Sequence, residues 1–105
     1  MCEDEGCRAV CRYIAMCPSV IVLELLQNNI TALGCQFIGK TINPHNLESK
    51  CNLTVLKLDH NPIGSEGMAY LAEGLRQNKN ITNLSLTYCN IDASGARSIF
   101  EVLLF

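Results

Sequence analysis

A segment of this chain recurs at a constant spacing, and this period constrains the fold more than any other feature of the sequence. The recurring positions of the first segment are Leu53, Leu56, Leu58, Asn61, Ile63, Gly67, Leu71 and Leu75, which align in order with Ile81, Leu84, Leu86, Cys89, Ile91, Gly95, Ile99 and Leu103. Seven of these eight pairs match apolar with apolar or Gly with Gly, and the eighth matches Asn with Cys. A fixed period of this length is typical of a solenoid, in which each repeat packs on its neighbours.

The same template continues upstream of this pair of repeats. An earlier copy consists of Val20, Leu23, Leu25, Asn28, Ile30, Gly34, Ile38 and Ile42. The step from this copy to the next is longer than the following step, which indicates an insertion. We place the insertion in 43–52, where Pro and Asn residues indicate a loop.

Before this copy, Gly6, Val10 and Ile14 match only the second half of the template. A chain of this length has room for one domain. We therefore expect a single domain, 1–105, made of a half repeat 1–19, a repeat with a loop insertion 20–52, a repeat 53–80 and a last repeat 81–105.

Each full copy contains two patterns of hydrophobicity. Leu56 and Leu58 alternate with polar residues, which predicts a short strand, whereas Gly67, Leu71 and Leu75 recur in steps of four, which predicts a helix packed by one stripe. Repeated strand–helix units place the strands in parallel and the helices on one side of them. We predict an α/β solenoid with three strands and four helices, a short right-handed horseshoe segment with parallel strands on the concave side and helices on the convex side.

Three recurring polar or small positions have predicted mechanical roles. Asn28 and Asn61, with Cys89 in the same position of the last copy, are expected to turn inward and bond backbone groups of neighbouring turns. Glycines at the start of the helices allow close approach of the backbone; they are Gly34, Gly67 and Gly95. Thr31 and Asp92 are predicted helix N-caps, and Gly64–Ser65 is expected to serve in the middle copy.

The segment from Leu53 to Asn78 resembles the leucine-rich repeat of the ribonuclease-inhibitor class. Leu53, Leu56, Leu58, Asn61, Ile63, Gly67, Leu71, Leu75 and Asn78 carry the likeness. The alternating 28- and 29-residue repeats of that family commonly have Asn or Cys where this chain has Asn61 and Cys89. The resemblance implies protein binding, commonly through the concave strand face, with no cofactor.

Composition limits the classes of partner and compartment. A net charge of -2 argues against a nucleic-acid or anionic-membrane surface. The start of the chain is acidic rather than basic, so no secretory signal is evident. The 7 cysteines are an odd number, which fits reduced, buried thiols better than a secreted disulfide scaffold. We expect a cytoplasmic protein.

Two groups of residues could be interpreted as a metal site and a catalytic pair, but in both cases a structural role explains them. Cys7 and Cys11 are spaced as possible metal ligands, but they occupy the packing positions of Met68 and Ala72. Their spacing also differs from that of a structural zinc site, which has two pairs of closely spaced ligands, so we expect no metal. His60 stands beside Asp59 with no nucleophile motif, which indicates a surface histidine. Cys2, Cys17 and Cys51 are expected to be less constrained than the core thiols, and His45 to face solvent in the inserted loop.

The candidate binding residues follow from strand alternation and line the concave side. We define the concave face by Glu24, Gln27, Lys57, Asp59, His60, Ser85, Thr87 and Tyr88. Alternation also assigns Val22 and Leu26 to the first strand of this face, and Val55 and Asn83 to the other two. Tyr88 is the aromatic residue of the face, and aromatic residues often carry much of the energy of an interface.

Three functions are compatible with this pattern. The main hypothesis is a non-catalytic protein-interaction module or scaffold, an excerpt of a longer leucine-rich-repeat protein, because no polar cap flanks the array. The second is a self-associating fragment or subunit of a large assembly, in which the exposed ends pair; Leu84, Leu86, Ile99 and Leu103 lack a following repeat. The third is a GTPase-activating or other enzyme-regulating protein, for which we identify no residues.

Overall fold

Helices and strands alternate along the chain. The computed structural model describes residues 3–76 and 78–97. The elements are α1 (Glu3–Met16), β1 (Val22–Glu24), α2 (Ala32–Ile42), β2 (Val55–Lys57), α3 (Gly64–Leu75) and β3 (Asn83–Ser85). A further helix, α4, occupies 93–97 of the described residues. Within these ranges the structure has three strands and four helices, the number predicted. Ile99 and Leu103 lie outside the described residues.

The strands form one parallel sheet in the order β1-β2-β3. Leu23 pairs with Leu56, and Leu56 pairs with Leu84. These pairs reproduce both the longer and the shorter step of the sequence template, so the insertion after Ile42 does not change the register. Helices α1, α2 and α3 pack on one another in chain order. The predicted leucine-rich-repeat solenoid segment is confirmed.

The core lies between the sheet and the helices and is built from the template positions. Leu56, Leu58 and Leu71 have no exposed surface. Leu84 and Leu86 of the last copy are only half-buried. Within the described residues β3 has a neighbouring strand only on its β2 side, so its leucines are covered less completely than those of β2.

Four cysteines belong to this core, as the repeat predicts. Cys7, Cys11, Cys35 and Cys89 are buried, whereas Cys17 and Cys51 are partly exposed. Met68 and Ala72 are buried as well, and they occupy the same template positions as Cys7 and Cys11. Within residues 3–76 and 78–97, no group of three His, Cys, Asp or Glu side chains is arranged to hold a metal ion. Cys2 lies outside the described residues.

The carboxamide of Asn61 joins two successive turns of the solenoid. Asn61 is 1% exposed, and its Oδ1 accepts hydrogen bonds from the backbone N–H groups of Asn28 at 2.9 Å and Ile30 at 3.0 Å. Its Nδ2 donates to the carbonyls of Leu25 at 2.7 Å and Leu58 at 2.9 Å. The predicted inward role of Asn61 is therefore confirmed.

The other two members of this column differ from Asn61. The Cys89 thiol donates to the Leu58 carbonyl at 3.1 Å, so a thiol serves in the last copy as predicted. Asn28 is half-buried, and its Nδ2 donates to the Leu26 carbonyl within its own turn. The predicted bond of the Asn28 side chain to a neighbouring turn stays a prediction.

The starts of the helices follow the prediction in two of three copies. Thr31 Oγ1 accepts from the Leu33 N–H, and Asp92 Oδ1 accepts from the Gly95 N–H at 3.1 Å. In the middle copy the capping role predicted for Gly64–Ser65 is wrong. Helix α3 begins without a side-chain cap, and the Ser65 hydroxyl instead bonds the Asp92 carboxylate of the next repeat.

Close backbone contacts determine how the helices pack. A Cβ on Gly67 would lie 2.4 Å from Ile63 Cγ2 and 3.3 Å from the Cα of Ala32, as predicted for this glycine column. The template did not predict a second contact: a Cβ on Gly74 would lie 2.4 Å from the carbonyl oxygen of Gly39. Helices α2 and α3 therefore touch backbone to backbone at Gly39 and Gly74.

The inserted segment 43–52 is fixed against the helices. Asn46 Nδ2 donates to the Lys40 carbonyl at 2.9 Å, and Ser49 Oγ donates to the Thr41 carbonyl at 2.7 Å. The Lys50 N–H donates to the Ala15 carbonyl of α1 at 2.7 Å. His45 is exposed, as predicted. In the described part of the chain, no helix has the length and apolar character needed to cross a membrane.

Candidate protein-binding surface

The side of the sheet away from the helices presents rows of side chains that run across the three repeats. The strand register aligns Glu24 with Lys57, and Lys57 with Ser85. Lys57 Nζ lies 3.9 Å from Glu24 Oε1, and both side chains are about half exposed. An exposed pair of this kind stabilises a fold by roughly 0–1 kcal/mol, so both groups remain able to pair with a partner's charges.

The next row is held by the Asp59 carboxylate. Ser85 Oγ donates to both of its oxygens, at 2.7 and 2.9 Å, and the Thr87 N–H donates to Oδ1 at 2.6 Å. The Ser85 hydrogen bond, with those of Thr87, lowers the pKa of Asp59 below its usual value. Asp59 and Ser85 therefore join the turn after β2 to β3 and stiffen the face.

The last row lies beyond the strands. Strands β1, β2 and β3 end at Glu24, Lys57 and Ser85, so the placement of the residues after them on strands is wrong; Leu26, Gln27, Asp59, His60, Thr87 and Tyr88 are in turns. The chain reverses there because Gln27, His60 and Tyr88 adopt left-handed backbone, with φ of 53°, 62° and 58°. The turns still bond one another, since the His60 N–H donates to the Thr87 carbonyl at 2.9 Å.

His60 and Tyr88 form an aromatic ledge at the end of the face. Their rings stack with centroids 4.9 Å apart and an interplanar angle of 25°. Tyr88 is 76% exposed and His60 is exposed, so much of the stacked pair is open to solvent. His60 is thus a surface residue in an aromatic pair, and its neighbour Asp59 is bonded to Ser85 and Thr87.

The opposite edge of the face is apolar. Ile21, Val22 and Leu26 are 53%, 46% and 43% exposed. The concave face therefore runs from an aliphatic edge at β1, through the Glu24–Lys57 pair, to the aromatic ledge near β3. Such a mixture of apolar anchors and polar groups is typical of protein interfaces.

Strand alternation correctly placed Glu24, Lys57 and Ser85 on strands, but it did not predict the geometry of the other members of the face. The left-handed turns and the His60–Tyr88 stack depend on contacts between repeats, which alternation within one strand does not report. One signal was available in the sequence. Asp59 and Thr87 occupy the same template position in successive copies, with Ser85 nearby, which is the pattern of a side-chain bond between neighbouring turns.

Comparisons with known proteins agree with this architecture. The Leucine Rich repeat family matches residues 49–72 and 77–100. A ribonuclease inhibitor from Mus musculus is 36% identical over 92 residues, 79% of this chain and 20% of the inhibitor. A ribonuclease inhibitor from Sus scrofa is 30% identical over 102 residues, 95% of this chain and 21% of that protein. NLR family member X1 from Rattus norvegicus is 30% identical over 73 residues, 70% of this chain and 7% of that protein.

The sheet, the repeat register and these matches define the class of the protein. The chain belongs to the leucine-rich-repeat proteins and is of the ribonuclease-inhibitor type. Its matched part spans about a fifth of the length of the two inhibitors. Leucine-rich repeats are protein-binding structures, which makes this chain a protein-interaction module.

Proposed function

We propose that the chain is a non-catalytic binding module whose concave face contacts a protein partner, within a longer leucine-rich-repeat array. The observation that carries the proposal is the exposed His60–Tyr88 stack, aligned by the turns with the rest of the face. The Asp59 bonds to Ser85 and Thr87 support it because they hold the face in one shape. A preorganised surface binds with less loss of conformational entropy.

The outer strands of a three-stranded sheet are only about 10 Å apart, at roughly 4.8 Å per strand. This width supports a role as part of a larger surface rather than as a complete receptor. The names of two relatives indicate inhibition of ribonucleases, so a ribonuclease is the first partner to test. We further propose a reducing, cytoplasmic compartment, which is supported by the buried thiols of Cys35 and Cys89, neither of them in a disulfide.

Site-specific photo-crosslinking tests the proposed face without a known partner. A photoreactive phenylalanine would replace Tyr88 on the concave face or, as the matched control, Tyr70 on α3. We expect a distinct crosslinked protein from position 88, lost when His60→Ala is added, and none from position 70. Crosslinking only from position 70 would contradict the proposal.

The other two hypotheses stay predictions with their own tests. The exposed Ile21 and Val22 at the outer edge of β1 favour self-association. Sedimentation equilibrium would detect it, and a monomer at high concentration would rule it out. For enzyme regulation, we expect GTP hydrolysis by candidate GTPases to be unchanged by this chain, and a clear acceleration would overturn the main proposal.

A further inference from the structure

A cleft of about 360 Å³ opens on the convex side of the molecule, away from the concave face. We call it the convex cleft; it lies between α1, α2 and the inserted loop. Cys11, Phe37 and Thr41 are among the residues that line it. The cleft is large enough for a big apolar side chain, and the proposed concave function leaves it unused.

The cleft exists because two helices are held apart where the next two touch. In the repeat template, Cys11 and Thr41 occupy the positions that Gly39 and Gly74 occupy one repeat later. Gly39 and Gly74 bring α2 and α3 into backbone contact. Side chains at the equivalent positions of α1 and α2 prevent such an approach. The corresponding groove between α2 and α3 has a volume of only about 160 Å³.

The inserted loop forms the other wall of the cleft. Its Asn46, Glu48 and Ser49 line the cleft opposite α1. Hydrogen bonds from Asn46 and Ser49 to the carbonyls of α2 fix that wall. The cleft therefore arises from two departures from the repeat, a side-chain pair and an insertion, and has a preformed shape.

The rim of the cleft is basic although the chain is acidic. Arg8 and Arg12 project from α1 and Lys40 from α2, whereas Glu48 is the one acidic residue among the described residues that line the cleft. These three basic residues are exposed, and the chain as a whole carries a net charge of -2. The Arg8 guanidinium lies 5.8 Å from the Phe37 ring centroid, a cation–π contact that holds it at the rim.

We propose that the convex cleft is a second binding site, which takes an acidic segment of a protein partner. One large apolar side chain of the segment enters between α1 and α2 above Phe37. Carboxylates on either side of it pair with Arg8, Arg12 and Lys40. A single carboxylate, as on a fatty acid, would engage only part of this rim, whereas a segment with several carboxylates engages cations on both helices.

A titration followed by NMR tests the proposal on the whole ¹⁵N-labelled chain. The probe is the capped hexapeptide Asp-Glu-Phe-Leu-Glu-Asp, and the control is Lys-Arg-Phe-Leu-Arg-Lys. We expect the acidic peptide to shift amide signals of α1, α2 and the inserted loop, and to bind more weakly as salt is raised. The basic peptide should bind at least about tenfold more weakly, because its charges meet a rim of the same sign.

Variants locate the site and separate it from the concave face. Arg8→Glu with Arg12→Glu should weaken the acidic peptide by about tenfold or more, and Ala15→Phe should block it by filling the cleft. Arg97→Glu, an exposed charge reversal on α4, should change the affinity for the acidic peptide less than twofold, and so should Tyr88→Ala. No shifts at millimolar peptide, unchanged affinity in the arginine variant, or tighter binding of decanoate at the same residues would each overturn the proposal.

Discussion

At the scale of single residues, the side-chain amide of Asn61 links neighbouring repeats by hydrogen bonds. Asn61 is buried and satisfies backbone groups of two successive turns. A buried backbone group left without a partner costs about 1–3 kcal/mol. Several such groups depend on Asn61, and they lie where the chain leaves the strand.

We predict that Asn61→Ala lowers the free energy of unfolding by about 3 kcal/mol or more. Asn61→Cys should be milder, because Cys89 performs the same role in the last copy. Urea denaturation measures both values, and exposed Asn83→Ala is the control, with an expected change below about 0.5 kcal/mol. Equal effects of Asn61→Ala and Asn83→Ala would show that the column does not join the turns.

A second residue-scale prediction concerns the Asp59 carboxylate. The Ser85 hydrogen bond lowers the pKa of Asp59 in the folded chain. The Asp59 carboxylate is therefore protonated at a higher pH in the unfolded chain than in the folded chain. The stabilisation from Asp59 is therefore present above the ordinary Asp pKa, about 4, and is lost as pH falls through the lower folded value.

Ser85→Ala should raise the pKa of Asp59 towards its ordinary value and reduce the loss of stability on acidification. An NMR titration of the Asp59 carboxyl carbon checks the first effect. Thr82→Ala, at an exposed position just before β3, is the control and should leave the titration unchanged. A titration of Asp59 that is the same in Ser85→Ala and in the parent chain would mean that the hydrogen bond does not form in solution.

At the scale of elements, the contact between α2 and α3 makes the sharpest prediction. Gly74→Ala would place a Cβ against the Gly39 backbone, which cannot move as a flexible side chain would. We expect a loss of about 3 kcal/mol in the free energy of unfolding. Gly64→Ala is the control: nothing lies within 4 Å of its added Cβ, and only the left-handed φ of 69° opposes it. The control should lose about 1 kcal/mol, and the reverse order would contradict this helix packing.

The elements also show what local pattern can and cannot predict. Strand register and buried stripes were predictable because they follow from residues that recur at the spacing of the template. The ends of the strands were not predictable. Strand β2 ends just before the Leu58 carbonyl, which accepts a hydrogen bond from the Asn61 carboxamide, and His60 then adopts a left-handed backbone conformation. The His60–Tyr88 stack needs side chains from two repeats, and the Gly39–Gly74 contact depends on the depth of helix packing. Neither contact appears in the periodicity of a single segment.

At the scale of the whole molecule, the reactivity of the buried cysteine thiols measures how often the core of the solenoid opens. Burial raises the pKa of Cys35 to about 12, and burial also raises the pKa of Cys89. Because the thiolate is the reactive form, both should resist alkylation until the core opens. Partly exposed Cys17 should react before either of these two.

We predict that Cys35 is alkylated at least about 100-fold more slowly than Cys17 at pH 8, since core opening costs several kcal/mol. Peptide mass spectrometry after timed labelling measures both rates. In urea the two rates should become similar, which controls for local sequence. Equal rates in the native chain would mean that the core is open.

Binding through the concave face is also a property of the whole molecule, because three repeats supply it. Crosslinking at position 88 identifies the partner protein. The most direct measurement is then the affinity of that partner for the unlabelled chain and its variants, determined by calorimetry. His60→Ala with Tyr88→Ala should weaken binding at least about tenfold, since paired aromatic anchors often dominate an interface. Tyr70→Ala on α3 should leave the affinity within about twofold of the parent chain. Unchanged affinity in the His60 and Tyr88 variant, with a loss in the Tyr70 variant, would place the partner on the helices and contradict the proposed function.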